Sequence, residues 1–431
     1  MTNISFSSIL EFLMQSSPPL LENGILLWAA RLIMVGLVAG LLFKIFPRQR
    51  EKILLPLSFI YGVWFLGPTN MALQVLFVSI WWALMRFSSE DAQEKRRALF
   101  QWIILVLASV LYFGLMNAGR IGWELPRPSV QELGLSYLYL RVIHVTGDWK
   151  RGELKAPPFF DFLNYVFYFP TLMGGPVERY ERLFEKPFFQ KQTSWKFHLD
   201  SSMALRVLGG IAKIAASVTF LNLPYSELWD QTRDLSYFML VKILYFRAIS
   251  FYLMVSGTND ITLMFSKSLQ IPLLENYDYP YFRRNLAHFW RTWHISLSTI
   301  LRDYLYEPLG GKRKHQRLNY LITFFFCAMW HVTSPAFVIW GLMHGFGMGI
   351  LRTWQDFWAN QVGRIPGIGK GLISVRDFFR AYPRLSWTLS ALITFHFVAL
   401  AWLPFWGGHP QGTIAIFRLL KLDFLVGPMF D

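Results

Sequence analysis

Between Leu99 and Met116 the chain runs for 18 residues without a charged side chain, long enough to cross the hydrocarbon core of a bilayer as a helix. In lipid the backbone must satisfy its own hydrogen bonds, so a run of this kind dictates a helix unless a closed barrel forms. Similar apolar stretches recur from residue 24 to the last residues, and only 16% of side chains are charged, where a soluble domain carries about 25%. A water-soluble enzyme, a disordered chain and a fibrous repeat are all excluded. The predicted fold is all-α: a polytopic integral membrane protein of about ten or eleven transmembrane or re-entrant helices around a central polar funnel. The 18 Trp, 18 Tyr and 40 Phe suit both the bilayer interfaces and helix packing around a cavity.

The net charge of +15 has a topological explanation before any other, because cytoplasmic loops of membrane proteins accumulate Lys and Arg. It therefore predicts a membrane partner and no nucleic acid. Cys327 is the single cysteine, which excludes an intrachain disulfide and a thiolate zinc site.

Along the chain, Met1–Pro19 lacks the basic start and cleavage pattern of a signal peptide and reads as an interfacial amphipathic helix. Gly24–Phe46 is the first span, ending at a basic run from Pro47 to Lys52. Ile53–Leu66 and Met71–Phe87 form a pair around a turn at Gly67–Asn70, returning to a second basic loop at Glu94–Arg97. Residues 119–156 mix charge with short apolar runs and Phe159–Met173 is aromatic, as suits re-entrant or tilted helices, and Glu178–Lys196 reads as interfacial. Ser201–Leu223 and Ser236–Phe265 resume the apolar character. Arg283–Arg317 is the largest polar element, with eight Lys and Arg in 35 residues. Leu318–Trp330 and Ala336–Leu351 follow, then a basic loop over 352–384, a span at Leu385–Phe405 and a last apolar stretch at Thr413–Phe430. No repeat of solenoid or inverted-transporter type is visible.

The arms either side of His331-Val-Thr-Ser-Pro335 have 13 and 16 residues. At about 1.5 Å per residue they fall short of a core about 30 Å thick, which predicts a tip inside the membrane. An imidazole at that depth is tolerable in a protein-lined or hydrated cavity and marks a site candidate; the alternative is that the arms borrow flanking residues and leave His331 at the interface. His294 is the second candidate. Read as continuous helix, its surroundings place His294, Ser298 and Arg302 on one polar face, with Trp290, Trp293, Leu297 and Leu301 supplying apolar surface beside a channel. On pattern alone a histidine between aromatics is more often a packed or hydrogen-bonded core residue than a catalyst.

The string Phe289-Trp-Arg-Thr-Trp-His-Ile-Ser-Leu-Ser-Thr-Ile-Leu-Arg-Asp-Tyr-Leu-Tyr-Glu-Pro-Leu-Gly-Gly-Lys-Arg313 strongly resembles the membrane-bound O-acyltransferase family, in its bacterial branch of alginate O-acetylation and teichoic-acid D-alanylation proteins. Met329-Trp-His331 followed by Ile339-Trp-Gly-Leu-Met-His-Gly345 is similar to the family's second signature. Tyr252–Asp260, ending Ser-Gly-Thr-Asn-Asp, and Gly174-Gly-Pro-Val177 also match, so the resemblance covers residues 170–350. It implies N-terminal transmembrane helices over 1–150, a catalytic core over 151–384 and C-terminal helices over 385–431, all in one structural unit.

The resemblance further implies that His331 is the family's near-invariant histidine and His294 its second functional position. Acyl transfer from a thioester to a hydroxyl needs a base, and a neutral imidazole suits that task. His331 is assigned as general base, with His294 orienting the acceptor or polarising the acyl carbonyl. Trp290, Trp330, Ser298 and Arg302 are expected to contact substrate, as are Ser256, Asn259 and Asp260, although Asp260 could instead pair with a nearby arginine. Cys327 lies four residues before His331 on the same helix face, so a covalent acyl-cysteine competes with its reading as a small buried hydrophobe. No HExxH spacing or acidic cluster accompanies the two histidines, so no metal is expected. No bound cofactor is expected; acyl-CoA or an acyl carrier protein would be co-substrate, docking on Lys312, Arg313 and Lys314 with help from Arg317.

The implied activity moves an acyl group, acetyl by branch resemblance, from a cytoplasmic thioester across the bacterial cytoplasmic membrane. The acceptor would be a hydroxyl of an extracytoplasmic polysaccharide or of a relay protein, with an extracytoplasmic acetyltransferase as possible partner. D-alanyl transfer to teichoic acid, or acylation of a lipid or peptide, is the alternative within enzymes. A transporter or channel for an acyl donor is the alternative outside them.

Overall fold

A computed structural model describes residues 25–87, 135–172, 175–185, 200–218, 236–271, 273–331, 335–360, 362, 369–407 and 411–420. The predicted interfacial helix at Met1–Pro19 and the span at Leu99–Met116 lie outside these residues, as do most of Glu178–Lys196 and Thr413–Phe430. The described residues are helical with no strand, only an isolated bridge between Tyr277 and Trp293. They fall into two compact units: residues 1–223 with 250–274, and residues 224–249 with 275–431. Among the described residues three helices are long and apolar enough to cross a membrane, Pro68–Arg86, Tyr237–Ser268 and Pro383–Phe405. A fourth candidate is a pair, Arg31–Ile45 with Pro47–Leu66, bent by 118°.

The first unit contains α1 (Ile25–Ile45), α2 (Arg50–Leu66), α3 (Pro68–Phe87), α4 (Leu135–Arg151), α5 (Phe159–Val166), α6 (Ser201–Ala216) and the second part of α7 (Tyr237–Ser268). The turn predicted over Gly67–Asn70 is tighter than expected. Gly67 alone reverses the chain at φ 80°, and α3 begins at Pro68, whose fixed φ suits a first helical position. Asn70 then donates from Nδ2 to the Leu66 carbonyl at 2.9 Å. Asp200 caps α6 through the Met203 N–H at 2.8 Å.

Small residues let these helices approach. A β-carbon on Gly210 would lie 2.8 Å from the Gly257 carbonyl oxygen, and one on Gly257 2.6 Å from that of Gly210. Polar side chains close the remaining gaps: Trp81 donates to Thr146 at 2.7 Å, and the Ser217 and Ser250 hydroxyls meet at 2.8 Å. Arg141, fully buried on α4, donates to the Val166 carbonyl at 2.5 Å and to the carbonyl and hydroxyl of Thr171 at 2.7 and 2.6 Å. That clamp holds the corner leading to Gly175-Pro176-Val177; Gly174 lies outside the described residues.

The second unit holds the start of α7, then α8 (Leu286–Trp290), α9 (Ile295–Leu301), α10 (Gln316–His331), α11 (Pro335–Asn360), α12 (Gly369–Ala381), α13 (Pro383–Gly407) and α14 (Gln411–Leu419). Two expectations change here. The second arm beyond His331 has 26 residues, about 39 Å, and exceeds the bilayer core, while α10 with 16 residues stays short of it. The basic loop predicted over 352–384 is largely helical, because Asp356 pairs with Arg352 one turn back at 2.7 Å and carries α11 on to Asn360. Helices α10 and α11 pack backbone to backbone: a β-carbon at Gly341 would lie 2.5 Å from the Phe324 carbonyl oxygen.

Candidate active site

His331 is the last residue of α10 and His294 the residue that precedes α9, so each stands where a helix ends. The expected continuous helix through His294 is broken. His294 adopts the left-handed conformation at φ 44°, and the chain around it is tied elsewhere. The Ile295 N–H donates to the Asn276 carbonyl at 3.0 Å, and the Ser296 N–H and hydroxyl both donate to Asn276 Oδ1, at 3.1 and 2.9 Å. His294, Ser298 and Arg302 consequently do not form one helical stripe. Ser298 donates to the Trp293 carbonyl at 3.2 Å, and exposed Arg302 turns to Asp303 at 2.7 Å. A left-handed residue other than glycine carries strain, and such strain collects at functional sites.

Both imidazoles pack on Trp330. The His294 ring centre lies 6.2 Å from the Trp330 ring and that of His331 4.5 Å from it, both edge to face. His294 is buried, and half-buried His331 also meets Trp340 at 5.5 Å and Phe405 at 5.6 Å. The cluster continues from Trp340 to His344 at 5.1 Å and from His344 to Trp290 at 5.0 Å. Thus His294, His331, Trp290 and Trp330, four residues singled out in the sequence, come together in the second unit.

Sequence reasoning did not single out His344 and Trp340, although both lie in the Ile339–Gly345 string. His344 is fully buried; its Nδ1 accepts from Trp290 Nε1 at 3.3 Å, and its Nε2 has no hydrogen-bond partner among the described residues. The Trp340 indole N–H is likewise buried and unpartnered. Leaving a buried polar atom unmatched costs about 1–3 kcal/mol, so two such atoms in the cluster that holds His331 are positions able to receive a substrate's polar atoms. Cys327 is fully buried.

In the first unit, Asp260 is held by Arg206 at 2.8 Å and Lys213 at 2.6 Å, the ion-pair reading left open by the sequence. Ser256 Oγ and Asn259 Oδ1, on the same helix, are buried without hydrogen-bond partners among the described residues. Sequence reasoning also passed over His144, whose Nδ1 lies 3.1 Å from Asp148 and Nε2 3.2 Å from Glu181, a trio with donor atoms close enough to hold a metal ion. The Tyr180 N–H donates to the same Nε2 at 2.9 Å.

Lys312, Arg313 and Lys314 are exposed on a turn built by Gly310 and Gly311, with φ of 108° and 55°. Asn319 locks that turn by donating to the Gly311 and Lys314 carbonyls at 3.0 and 2.7 Å. Elsewhere in this unit, the pKa of exposed His288 lies below the ordinary histidine value, through partial burial first and then the charges of Arg291, Arg283 and Arg284.

The sequence model of the membrane-bound O-acyltransferase family matches residues 75–376. The chain is 26% identical to the peptidoglycan O-acetyltransferase of Helicobacter pylori over 60% of its own length and 46% of that relative's. It is 26% identical to the probable alginate O-acetylase AlgI of Pseudomonas aeruginosa over 85% of this chain and 68% of that one. With the teichoic acid D-alanyltransferase of Bacillus subtilis it shares 24% identity over 76% of this chain and 83% of the relative. The chain thus spans about half to five sixths of these relatives, and the clustered His294, His331 and His344 all lie inside the matched region. The protein belongs to the membrane-bound O-acyltransferase family.

Proposed function

We infer that this chain is a membrane O-acyltransferase of the bacterial cytoplasmic membrane. It moves an acetyl group from a cytoplasmic thioester, acyl-CoA or an acyl carrier protein, to a hydroxyl of an extracytoplasmic polysaccharide or a relay protein. The observation that carries the reading is the packing of His294 and His331 against one indole, Trp330, within an aromatic cluster. Two of the relatives bear O-acetylase or O-acetyltransferase names, which supports acetyl as the group moved.

In the proposed step, neutral His331 takes the proton of the acceptor hydroxyl as its oxygen attacks the thioester carbonyl carbon. A tetrahedral oxyanion forms, the C–S bond breaks, and the imidazolium returns its proton to the departing thiolate. Ester and free thiol are the products, with no net change in protons. His294 orients the acceptor or donates to the developing oxyanion, and the buried N–H groups of Trp340 and His344 are further candidates for that role. Within the second unit, Ser298 and Arg302 are candidates for holding the acceptor and Lys312, Arg313 and Lys314 for steering the donor; Ser256 and Asn259, with their unmatched polar atoms, are the candidates for substrate contact within the first. A central hydrated funnel would give the two substrates access from opposite faces.

The test is purified protein in sealed vesicles, given labelled acetyl-CoA or labelled acetyl carrier protein on one side and a hydroxylated polysaccharide on the other. Label recovered as an ester, and abolished by His331→Ala in a correctly inserted protein, is the expected result. Flux of intact donor without ester would establish a transporter instead, and transfer undiminished in His331→Ala would remove the assignment of the base. D-alanyl transfer is the second reading, favoured by the 83% coverage of the teichoic acid D-alanyltransferase. Ester formation from a D-alanylated carrier but not from acetyl donors would establish it.

A further inference from the structure

Helix α11 carries a groove that the proposed chemistry does not use. Gly341, Gly345 and Gly349 recur every fourth residue and so lie in one line along the helix. Packing demands the first two: besides the close approach at Gly341, a β-carbon on Gly345 would lie 2.9 Å from the Leu321 Cα. At Gly349 it would meet nothing nearer than the Arg317 Cβ, at 3.9 Å. Helices α10 and α11 therefore splay apart toward this end. Glycine weakens a helix interior, and at Gly349 no helix contact requires it. What its small size does is keep a groove open.

That groove has a volume of ≈ 630 Å³, within the range of roughly 300–1,000 Å³ typical of ligand sites. Leu321, Phe346, Gly349, Ile350, Trp354 and Phe357 supply its apolar lining, and Arg317 and Thr353 its polar lining. Phe346, Ile350 and Trp354 are more than half exposed, at 56%, 68% and 57%, as expected of a surface that faces lipid chains. From Gly345 to Phe357 the helix rises about 18 Å, close to the depth of one leaflet's hydrocarbon, half of a core about 30 Å thick. Trp354 and Trp358, 5.5 Å apart, mark the charged end as the interfacial one.

Charge identifies the occupant. Arg317 donates to Thr353 at 2.9 Å and to Asp356 at 2.9 Å, and Arg352 reaches the other oxygen of Asp356 at 2.7 Å. Two guanidiniums thus share one carboxylate, and the rim of an otherwise apolar groove carries a net charge of about +1. The chemistry that fits is an anion on an apolar chain. We propose that this groove binds an anionic phospholipid, one acyl chain lying over Gly349 and the headgroup phosphate resting against Arg317 and Arg352. The loops that flank these helices are basic, so the groove opens where the positive-inside rule places the anionic cytoplasmic leaflet.

The experiment uses the full chain purified in detergent, incubated with dioleoyl phosphatidylglycerol or dioleoyl phosphatidylcholine, with retained lipid counted by native mass spectrometry. The wild type should retain the glycerol lipid about fivefold over the choline lipid, the effect of one basic group at a membrane surface. Gly349→Leu fills the groove and should lose that retention, while Asp356→Asn uncovers a second positive charge and should raise it by about fivefold. Equal retention of the two lipids, full retention by Gly349→Leu, or unchanged or weaker retention by Asp356→Asn would each overturn the proposal. If the Gly349 variant does not fold, as judged by circular dichroism, the rim variant decides alone.

Discussion

Trp290 and His344, 54 residues apart in sequence, are joined by a buried hydrogen bond from the indole N–H to the imidazole Nδ1 at 3.3 Å. The bond selects the tautomer of His344 that carries its proton on Nε2, the atom left unpartnered among the described residues. Trp290→Phe keeps most of the ring and removes the donor. Acyl transfer should fall by about tenfold, equivalent to about 1.4 kcal/mol, the worth of one buried hydrogen bond. Steady-state ester formation by the purified variant, alongside its thermal unfolding, separates this loss from misfolding.

The left-handed backbone at His294 separates chemistry from strain. Asparagine tolerates this conformation far better than alanine does. His294→Asn and His294→Ala should both lose at least about 100-fold in turnover, the usual contribution of a positioned acid–base group. Only the alanine variant should also lose stability, by about 1 kcal/mol, read as a lower melting temperature in detergent.

Cys327 is fully buried on α10 and, in the mechanism proposed, takes no part. Cys327→Ala should keep turnover within about twofold and lose some stability through the small cavity it leaves, of order 1 kcal/mol. An acyl-cysteine intermediate, trapped by denaturing quench and mass spectrometry, would show the opposite.

The glycines of α6 and of the facing stretch of α7 supply an internal comparison. Gly257→Ala pushes a methyl group against the Gly210 carbonyl, 2.6 Å away, and should destabilise by about 2 kcal/mol. A β-carbon on Gly209, one residue from Gly210, meets nothing within 4 Å, so Gly209→Ala should be neutral or stabilising by up to about 1 kcal/mol. Paired melting curves test both.

Lys312, Arg313 and Lys314 sit on a turn held by Asn319, so their charges are presented at a defined place. If they steer an acidic donor, KM for that donor should rise steeply between low and physiological salt while kcat holds. Reversing all three charges should produce the same rise at low salt.

How far these features could be read from sequence follows from the range of the forces involved. Helices at Ile25–Ile45, Pro68–Phe87 and Pro383–Gly407 follow from long, predominantly apolar runs, which act locally. His331 and Trp330 were visible because they are adjacent in a recognisable string. The break at His294 was not, since Asn276, 18 residues upstream, supplies the hydrogen bonds that end the helix. The extension of α11 through a basic stretch depends on Asp356 neutralising Arg352 and on its bond to Arg317 across the helix pair. His344 stayed hidden because its partner Trp290 lies 54 residues away, and the His144 trio because Asp148, one helical turn on, is joined by Glu181 from 37 residues away, beyond the reach of periodicity.

The glycine contacts between α10 and α11 bear on how a reaction cycle can proceed. With main chain touching main chain at Gly341 and Gly345, no side chain intervenes that could repack during a slide, and a one-residue slip would drive Leu342 or Phe346 into a gap too narrow for a methyl group. The two helices are locked in register, and the imidazole of His331 keeps a constant separation from the indole of Trp340 from one turnover to the next. If His331 is the proposed base, admission of substrate and departure of product fall to segments other than this helix pair.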